Sequence, residues 1–253
     1  MKIAFVASPT PLAQESLLDL ERLYDHVPVE EADTLVVMGG DGQVLKTLHA
    51  SLHGNKRVFA LRRTQSVGFL CNDYNPQNLI ERIERAQSVT LHPLKVECTT
   101  TGGQTHAALA INEISFLRDS PQSAKLQVCI DGIERIHRYS GDGLLISTPA
   151  GSTAYNHSAG GPIMPLDSNT LVMTAICGFR PRRWSYAVLP QNAVIDIKVV
   201  EHEKRPVRVE AGTENIHNVL SARLSLDSET AFTLLFDPDQ HLGERIIREQ
   251  FML

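Results

Sequence analysis

Apolar and polar positions follow two different patterns along the chain, and the change falls at about Leu91. Before that point, short apolar runs alternate with stretches in which apolar residues recur at helical spacing. The runs KIAFVAS, TLVVM and RVFAL predict strands, and the stretches PLAQESLLDLERLY, QVLKTLHASL and NPQNLIERIERA predict helices. Because strands alternate with helices, we expect a parallel sheet with right-handed crossovers.

After Leu91 the pattern is that of successive short strands, at the spacing typical of an all-β unit. Asp131-Gly132 lies between two of them and predicts a hairpin turn. The segments that predict strands are LKVECTT, HAALAINEISFLR, KLQVCI, IERIHRYS, LLIST, TLVMTAIC, AVIDIKVV, PVRVE and SARLSLDS.

The chain ends with a predicted strand, AFTLLFD, and an amphipathic helix, HLGERIIREQFML. A single helix after a β-rich region has to bury its apolar face, so we expect it to pack back on the N-terminal domain. The pattern therefore predicts two domains. Residues 1–90 with 238–253 would form an α/β domain, and residues 91–237 an all-β domain.

Composition and charge exclude several classes of function. Of the 253 residues 42% are hydrophobic, and no apolar run reaches the roughly 18 residues of a membrane-spanning helix. The formal net charge of −5 argues against nucleic acid or an anionic membrane as a partner. The start, MKIAFVASPT, does not have the pattern of a secretory signal. The four cysteines contain no C-x-x-C pair, so we expect reduced thiols in a cytoplasmic protein.

The stretch TLVVMGGDGQVLKTLHASL predicts a strand, a glycine turn and a helix N-terminus, an arrangement that usually holds phosphate. It matches neither the G-x-x-x-x-G-K-[ST] loop nor the G-x-G-x-x-G fingerprint. A carboxylate, Asp41, stands between Gly39-Gly40 and Gly42. Beside a phosphate, that carboxylate needs a cation or a chemical role. The alternative is a tight turn in which Asp41 caps the helix.

Three further stretches carry polar or charged residues in regions where the surrounding pattern predicts ordered strands. In INEIS, Asn112 and Glu113 interrupt an apolar strand, so one of them faces the interior or a cleft, unless the pair lies at a surface strand end or bulge. The segment from Ser140 to Pro165 is rich in glycine and small hydroxyl residues, which suit either a polar ligand such as a nucleotide or an exposed, partly mobile loop. GFRPRRWSY places three arginines beside a tryptophan, either as a phosphate clamp or as a solvated rim or interface.

The order of four motifs resembles the NAD kinase family over almost the whole chain. The motifs are GGDG, VGFL at positions 67–70, the Asn-Glu pair and GDGLLISTPAGSTAYNHSAGGPIMP. GGDG alone also occurs in diacylglycerol-type lipid kinases and phosphofructokinases, whereas the long motif is specific to NAD kinases.

The resemblance implies a Rossmann-like α/β N-terminal domain, a β-sandwich-like C-terminal domain that binds NAD, an active site between them and a final helix packed on the first domain. It implies transfer of the γ-phosphate of ATP to the 2′-hydroxyl of the adenosine ribose of NAD, which gives NADP and ADP. A divalent metal, usually Mg²⁺, would accompany the ATP phosphates without a fixed protein ligand. Family members are homodimers or homotetramers.

The resemblance also assigns residues. Asp41 is the catalytic base, beside a phosphate-donor loop formed by Gly39, Gly40 and Gly42. The residues assigned to NAD are Gly42, Phe69, Asn112, Glu113, Asp142, Thr153, Ala154, Tyr155, Ser158 and Ala175.

Within that set, Phe69 is expected near the adenosine, the pair at 112–113 on the ribose and Asp142 on the nicotinamide side. The chain departs from the family pattern at Arg63-Thr64-Gln65, where many relatives have Asn and Gly, and at Ala211-Gly212, where relatives usually have Asp-Gly. The first change affects loop backbone and the second removes a carboxylate near the nucleotides.

Two other functions stay open on the sequence. A lipid kinase would share GGDG but needs an apolar acyl-chain pocket, which the hydroxyl-rich motif does not supply. A non-enzymatic NAD-sensing module would keep the pocket and lose the base.

Overall fold

The structure is a computed structural model that describes residues 1–51, 56–63, 68–238 and 251. The chain divides into two compact units. Unit 1 comprises Met1–Leu91 and Thr230–Leu253, and unit 2 comprises His92–Glu229. Within the described residues, no helix has the length and apolar character needed to cross a membrane.

Unit 1 contains the parallel sheet that the alternating pattern predicts. Strands are numbered in chain order: β1, β2 and β3 pair in parallel in that order, and β4 pairs in parallel with β3. The first elements are β1 (Ile3–Ala7), α1 (Pro11–Leu23), a 3-10 helix (Val29–Glu31), β2 (Thr34–Met38), α2 (Asp41–Ala50), β3 (Arg57–Arg62), β4 (Asn72–Asp73), α3 (Leu79–Arg85), β5 (Gln87–Leu91) and, in unit 2, β6 (Leu94–Thr100).

Two details of unit 1 differ from the sequence prediction. α3 begins at Leu79 and is shorter than predicted, because Asn78 before it adopts a left-handed conformation with φ 54°. β5 was not predicted, because it is an edge strand in which only Leu91 is buried, so it has no apolar run.

Unit 2 consists of two six-stranded antiparallel sheets that share one hydrophobic core. One sheet has the order β10-β9-β14-β17-β6-β7 and the other β13-β12-β11-β8-β15-β16. In β6 and β9, buried and more exposed residues alternate, as expected for strands with one face on a core. The remaining elements of unit 2 are β7 (Thr105–Ala110), β8 (Glu113–Arg118), β9 (Ala124–Ile130), β10 (Ile133–Gly141), β11 (Gly143–Ser147), α4 (Tyr155–Ser158), β12 (Thr170–Ile176), β13 (Tyr186–Pro190), β14 (Ile195–Val199), β15 (Val207–Ala211), β16 (Glu214–Ile216) and β17 (Val219–Leu226).

The hairpin prediction is confirmed and one strand prediction is wrong. Asp131 and Gly132 have φ 52° and 76° and join β9 to β10, with Ile130 paired to Ile133. HAALAINEISFLR, predicted as one strand, forms β7 and β8, which lie in different sheets. The chain therefore changes sheets just before Glu113.

The last described strand, β18 (Phe232–Phe236), belongs to unit 1. It pairs in parallel with β3 and antiparallel with β5. The all-β domain predicted for residues 91–237 therefore ends earlier, because the apolar run at its end completes the first sheet. The predicted C-terminal helix and its packing lie, except for Phe251, outside the described residues.

A buried asparagine holds this returning strand. Asn72 is fully buried, and its Nδ2 donates to the carbonyl oxygens of Ala60 (3.1 Å) and Leu235 (3.0 Å). Its Oδ1 accepts from the backbone N–H of Asp237 at 2.9 Å. One amide side chain thus links β4, β3 and the end of β18.

We predict that Asn72→Ala lowers the free energy of unfolding of unit 1 by about 2–4 kcal/mol, because two buried carbonyls and one N–H lose their partner. Thermal unfolding by circular dichroism and hydrogen exchange at β3 and β18 would measure this. The matched control is Asn75→Ala. It removes the exposed hydrogen bond that Gln77 N–H donates to Asn75 Oδ1, and it should lower the free energy of unfolding by under about 1 kcal/mol. Equal losses in the two variants would contradict the proposed role of Asn72.

Candidate functional site

The glycine turn lies between β2 and α2 in unit 1. A Cβ on Gly39, whose φ is +153°, would lie 2.9 Å from the Cβ of Gln43, so packing there requires glycine. By contrast, a Cβ on Gly40 or Gly42 would have no atom within 4 Å among the described residues. Since Asp41 is the first residue of α2, these two open positions leave the amides of a helix N-terminus accessible to an anion.

The Asp41 side chain does not cap α2, whose N-cap is Gly40 with no side-chain hydrogen bond. Its carboxylate faces the next loop instead. The backbone N–H of Phe69 donates to Oδ2 at 2.9 Å and that of Leu70 to Oδ1 at 3.0 Å. The Cys71 thiol lies 3.6 Å from Oδ1. The capping alternative is therefore wrong: Asp41 joins two loops of unit 1.

The surroundings of Asp41 act on its basicity in opposite directions. Burial raises the pKa of Asp41 above its ordinary value, while the hydrogen bonds from Leu70, Phe69 and Cys71 and the charge of Arg62 oppose that rise. A raised pKa makes a carboxylate a better proton acceptor.

In unit 2, Asn112 and Glu113 stand where the chain enters β8. Asn112 Oδ1 and Glu113 Oε2 are both buried, and neither has a hydrogen-bond partner among the residues that the structure describes. Burial raises the pKa of Glu113 from 4.5 to about 7. Buried polar atoms are normally hydrogen-bonded, so two adjacent unpartnered acceptors indicate a position where a ligand donates. The pair does lie at a strand end, but not on the open surface.

The hydroxyl-rich segment after β11 packs against this pair. Thr148 N donates to the carbonyl oxygen of Asn112 at 2.9 Å, and Thr148 Oγ1 donates to that of Ile111 at 2.7 Å. A Cβ on Gly151 would lie 2.2 Å from the carbonyl oxygen of Asn112, so only glycine allows this approach. The structure thus brings together two motifs that are more than thirty residues apart.

Buried polar side chains order the same segment internally. Ser152 Oγ donates to the carbonyl oxygen of Pro149 at 2.7 Å and accepts from Met164 N at 2.9 Å. Asn156 Nδ2 donates to the carbonyl oxygens of Ser152 (3.1 Å) and Pro162 (2.9 Å). The segment is a hydrogen-bonded element and not an exposed loop. The supporting roles of Ser152 and Asn156 do not follow from the sequence motif alone.

The assigned residues of this segment are the ones left accessible around that scaffold. Tyr155 and Ser158 are exposed at the two ends of α4, and Thr153 and Ala154 are half-buried. Burial raises the pKa of Tyr155, and the negative charge of Glu210 adds to the rise. The tyrosine therefore stays neutral and presents a hydroxyl.

Asp142 lies between β10 and β11 in a second Gly-Asp-Gly. A Cβ on Gly141 would lie 2.3 Å from the hydroxyl of the buried Tyr139, and one on Gly143 would lie 2.2 Å from a carbonyl oxygen of β8. Packing therefore requires both glycines. The Asp142 carboxylate forms an ion pair with Arg118, with Nε and Oδ1 2.7 Å apart.

The other residues singled out in the sequence lie in varied surroundings. Phe69 is half-buried. Ala175 is 6% exposed and its side chain belongs to the core of unit 2, so its pocket role stays a prediction. The three arginines after β12 are exposed, and Arg180 lies 5.7 Å from the ring of Phe179.

The family model of the ATP-NAD kinase C-terminal domain matches residues 111–228. An NAD kinase of Zymomonas mobilis is 43% identical over 100% of this chain and 98% of its own length, and one of Hyphomonas neptunium is 45% identical over 99% and 98%.

Solved structures show the same fold. A yeast NADH kinase complexed with NADH has a TM-score of 0.82 at 22% identity, with 98% of this chain and 86% of that chain covered. An NAD kinase from Archaeoglobus fulgidus in complex with ATP has a TM-score of 0.75 at 22% identity, with 98% and 99% covered.

The raised pKa of Glu113 predicts a dependence of unit 2 stability on pH. Between pH 4.5 and about 7 the unfolded chain ionises this group first, so the free energy of unfolding falls as pH rises through that range and then levels off. Glu113→Gln stays neutral. Its stability relative to the wild type should therefore increase from pH 5 to pH 8, by on the order of 2–3 kcal/mol at most.

Urea unfolding followed by fluorescence of Trp184, the single tryptophan, which packs on the core of unit 2, would measure this difference. The control is Glu97→Gln on β6. The pKa of Glu97 is lowered, first by a hydrogen bond from Lys95, so this group is ionised in both the folded and the unfolded chain above pH 5, and the stability difference between Glu97→Gln and wild type should stay nearly constant from pH 5 to pH 8. If the difference in free energy of unfolding between Glu113→Gln and wild type stays constant from pH 5 to pH 8, the interpretation of Glu113 as a buried, ionisable group is contradicted.

Proposed function

The chain belongs to the NAD kinase family, and on that premise we propose which of its residues carry out the reaction. The chain transfers the γ-phosphate of ATP to the 2′-hydroxyl of the adenosine ribose of NAD, which gives NADP and ADP. The observation that carries this conclusion is 43–45% sequence identity, over 99–100% of this chain, to proteins named NAD kinase.

We propose Asp41 as the base for the acceptor hydroxyl. A ribose hydroxyl is a very weak acid, and a carboxylate with a pKa near 4 cannot ionise it in advance. Asp41 can instead orient the hydroxyl and accept its proton late, as the bond to phosphorus forms. The pKa of Asp41, which burial raises, supports this role because it increases proton affinity.

We propose that the open glycines at the start of α2 hold the donor. Gly40 and Gly42 leave backbone amides accessible, and amides at a helix N-terminus suit phosphate oxygens. The donor enters as ATP with a divalent cation, for which Mg²⁺ is our proposal, bound by its phosphates. In this proposal the cation has no fixed ligand in the chain.

On the NAD side, we propose that Asn112 Oδ1 and Glu113 Oε2 accept hydrogen bonds from ribose hydroxyls. Their burial without partners supports this, because a hydroxyl donor would satisfy both atoms. The half-buried Phe69 would lie near the adenosine, and Asp142, oriented by Arg118, on the nicotinamide side. The dinucleotide would lie along the accessible residues of the hydroxyl-rich segment, which are Thr153, Ala154, Tyr155 and Ser158.

Homodimeric or homotetrameric assembly in the cytoplasm is a further proposal. Phe179 (62%), Tyr186 (45%) and Val188 (46%) are large apolar side chains exposed at and before β13, which is an edge strand. Exposed apolar groups on a sheet edge suit a protein interface. Cys71, Cys98, Cys129 and Cys177 form no disulfide with one another, which suits a reducing compartment. A monomeric mass in sedimentation equilibrium would contradict the proposed assembly. Recovery of the protein outside the cytoplasmic fraction of cells would contradict the proposed location.

The direct test is a product assay of the purified chain with NAD, ATP and Mg²⁺. We expect NADP as product, with phosphorus NMR showing phosphate on the 2′-oxygen of the adenosine ribose alone. Parallel reactions with NADH as acceptor and inorganic polyphosphate as donor define substrate range. A 3′-phosphorylated product, or no product with any of these pairs, would refute the assignment.

For the base we predict that Asp41→Asn lowers turnover by roughly 10²–10⁴-fold, the usual effect of losing a general base. An asparagine has one acceptor oxygen for the N–H groups of Phe69 and Leu70, so the variant should also lose about 1–3 kcal/mol of stability. Pre-steady-state turnover, NAD affinity by calorimetry and melting temperature would separate the two effects.

The matched control for this prediction is Asp33→Asn. Asp33 also accepts a backbone N–H, from Lys2 at 3.0 Å, but it is exposed at the start of β2. It should lose some stability and keep turnover within about two-fold of wild type, as expected for a surface substitution. Near-normal turnover in Asp41→Asn would end the general-base hypothesis.

A further inference from the structure

Cys71 is a buried thiol in contact with the proposed base. Its side chain is fully buried, and its Sγ lies 3.6 Å from Oδ1 of Asp41 and 3.5 Å from the carbonyl oxygen of Gly39. A thiol carries a single proton, so it can donate to only one of these acceptors at a time. Both acceptors belong to the glycine turn, one on each side of Gly40.

We infer that Cys71 is a positioning residue whose thiol follows the charge of Asp41: it donates to Oδ1 while the carboxylate is ionised, and turns to the Gly39 carbonyl when the carboxylate takes up a proton. The inference rests on the proposed role of Asp41. No covalent bond changes; only the S–H bond rotates about the Cβ–Sγ axis.

The other donors to this carboxylate cannot make such a move. The N–H groups of Phe69 and Leu70 are fixed by the backbone, and their hydrogen bonds favour the ionised form whatever the step of the reaction. Each therefore opposes proton uptake by Asp41. Among the residues that the structure describes, the charge of Arg62 adds to their effect, and Arg62 also pairs with Asp73 at 3.2 Å.

The thiol is different because a second acceptor is within reach. When Oδ1 gains a proton, the contact that the thiol loses is replaced by the one to the Gly39 carbonyl, so the thiol keeps an acceptor. Cys71 can therefore hold the ionised carboxylate in position before the reaction and still oppose proton transfer less than a fixed donor would. A thiol is also a weak donor, which limits how far it lowers the pKa of Asp41.

Two substitutions of similar size separate the donor from the volume it fills. Cys71→Ala removes the donor, and Cys71→Ser keeps one on a shorter bond. Without the donor the ionised form loses a partner, so the pKa of Asp41 in Cys71→Ala should rise by about 0.5–1 pH unit, within the range for one weak hydrogen bond to a charge. The pKa of Asp41 in Cys71→Ser should lie between its values in Cys71→Ala and in the wild type. Carbon-13 NMR titration of the Asp41 carboxyl in the ligand-free protein measures this without turnover.

The wild-type chain provides a second measurement that does not depend on a variant folding well. The S–H stretching band in the infrared shifts with hydrogen bonding, and Cys71→Ser identifies the Cys71 component. We expect that component to change as Asp41 titrates and to become independent of pH in Asp41→Asn. The matched control is Cys98→Ala, which removes a buried thiol of the unit 2 core and should leave the Asp41 titration unchanged.

Two results would overturn the inference. One is an Asp41 pKa in Cys71→Ala equal to wild type together with an S–H band that does not respond to pH. The other is an equal rise of that pKa in Cys71→Ser and Cys71→Ala, which indicates a packing role. The proposal that Asp41 is the base is tested separately, by turnover in Asp41→Asn. Normal turnover there would refute that proposal without changing the titration results for Cys71.

Discussion

The contact between the Asp41 carboxylate and two successive backbone amides is the constraint on which the rest of the unit 1 site depends. It joins the glycine turn after β2 to the loop after β3 and so fixes Phe69 and Cys71 relative to the start of α2. A hydrogen bond to a charged group contributes about 1.5–3 kcal/mol. The residue proposed to accept the proton is therefore also the residue that orders the loop around it. Its structural and chemical roles use the same two oxygen atoms, which is why no substitution at this position removes one role alone.

The tripeptide Gly-Asp-Gly occurs twice, at 40–42 and at 141–143, for different physical reasons. In the second copy, a Cβ on either glycine would overlap protein atoms at 2.2–2.3 Å, so the glycines are required by packing. In the first copy, neither glycine has a neighbour among the described residues that excludes a side chain. That open space beside the start of a helix supports the proposal that phosphates of the donor lie there. The sequence alone cannot distinguish the two copies, because the difference lies in residues distant along the chain.

The sequence predicts much of the fold because burial follows local pattern. Runs such as that of β2, buried at all five positions, give strands that need no tertiary information to be recognised. β5 was missed because an edge strand need not be apolar, and β18 was placed in the wrong domain because strand order depends on non-local pairing. The motif residues were found through the family resemblance. Ser152, Asn156 and Cys71 were not, because their roles depend on partners that only the folded chain brings into contact.

The proposed NAD side of the site shows how polarity is divided between support and binding. Ser152 and Asn156 are fully buried, and the described structure gives them protein partners. Asn112 Oδ1 and Glu113 Oε2 are equally buried atoms for which the described residues supply none. An unpaired buried acceptor costs about 1–3 kcal/mol in the free protein, and a ligand hydroxyl that fills the position removes that cost. A hydroxyl therefore binds there with an advantage that an apolar group of the same size does not have. Under the proposed assignment, selectivity for a ribose follows from these two unsatisfied acceptors, because the neighbouring Ser152 and Asn156 already have protein partners.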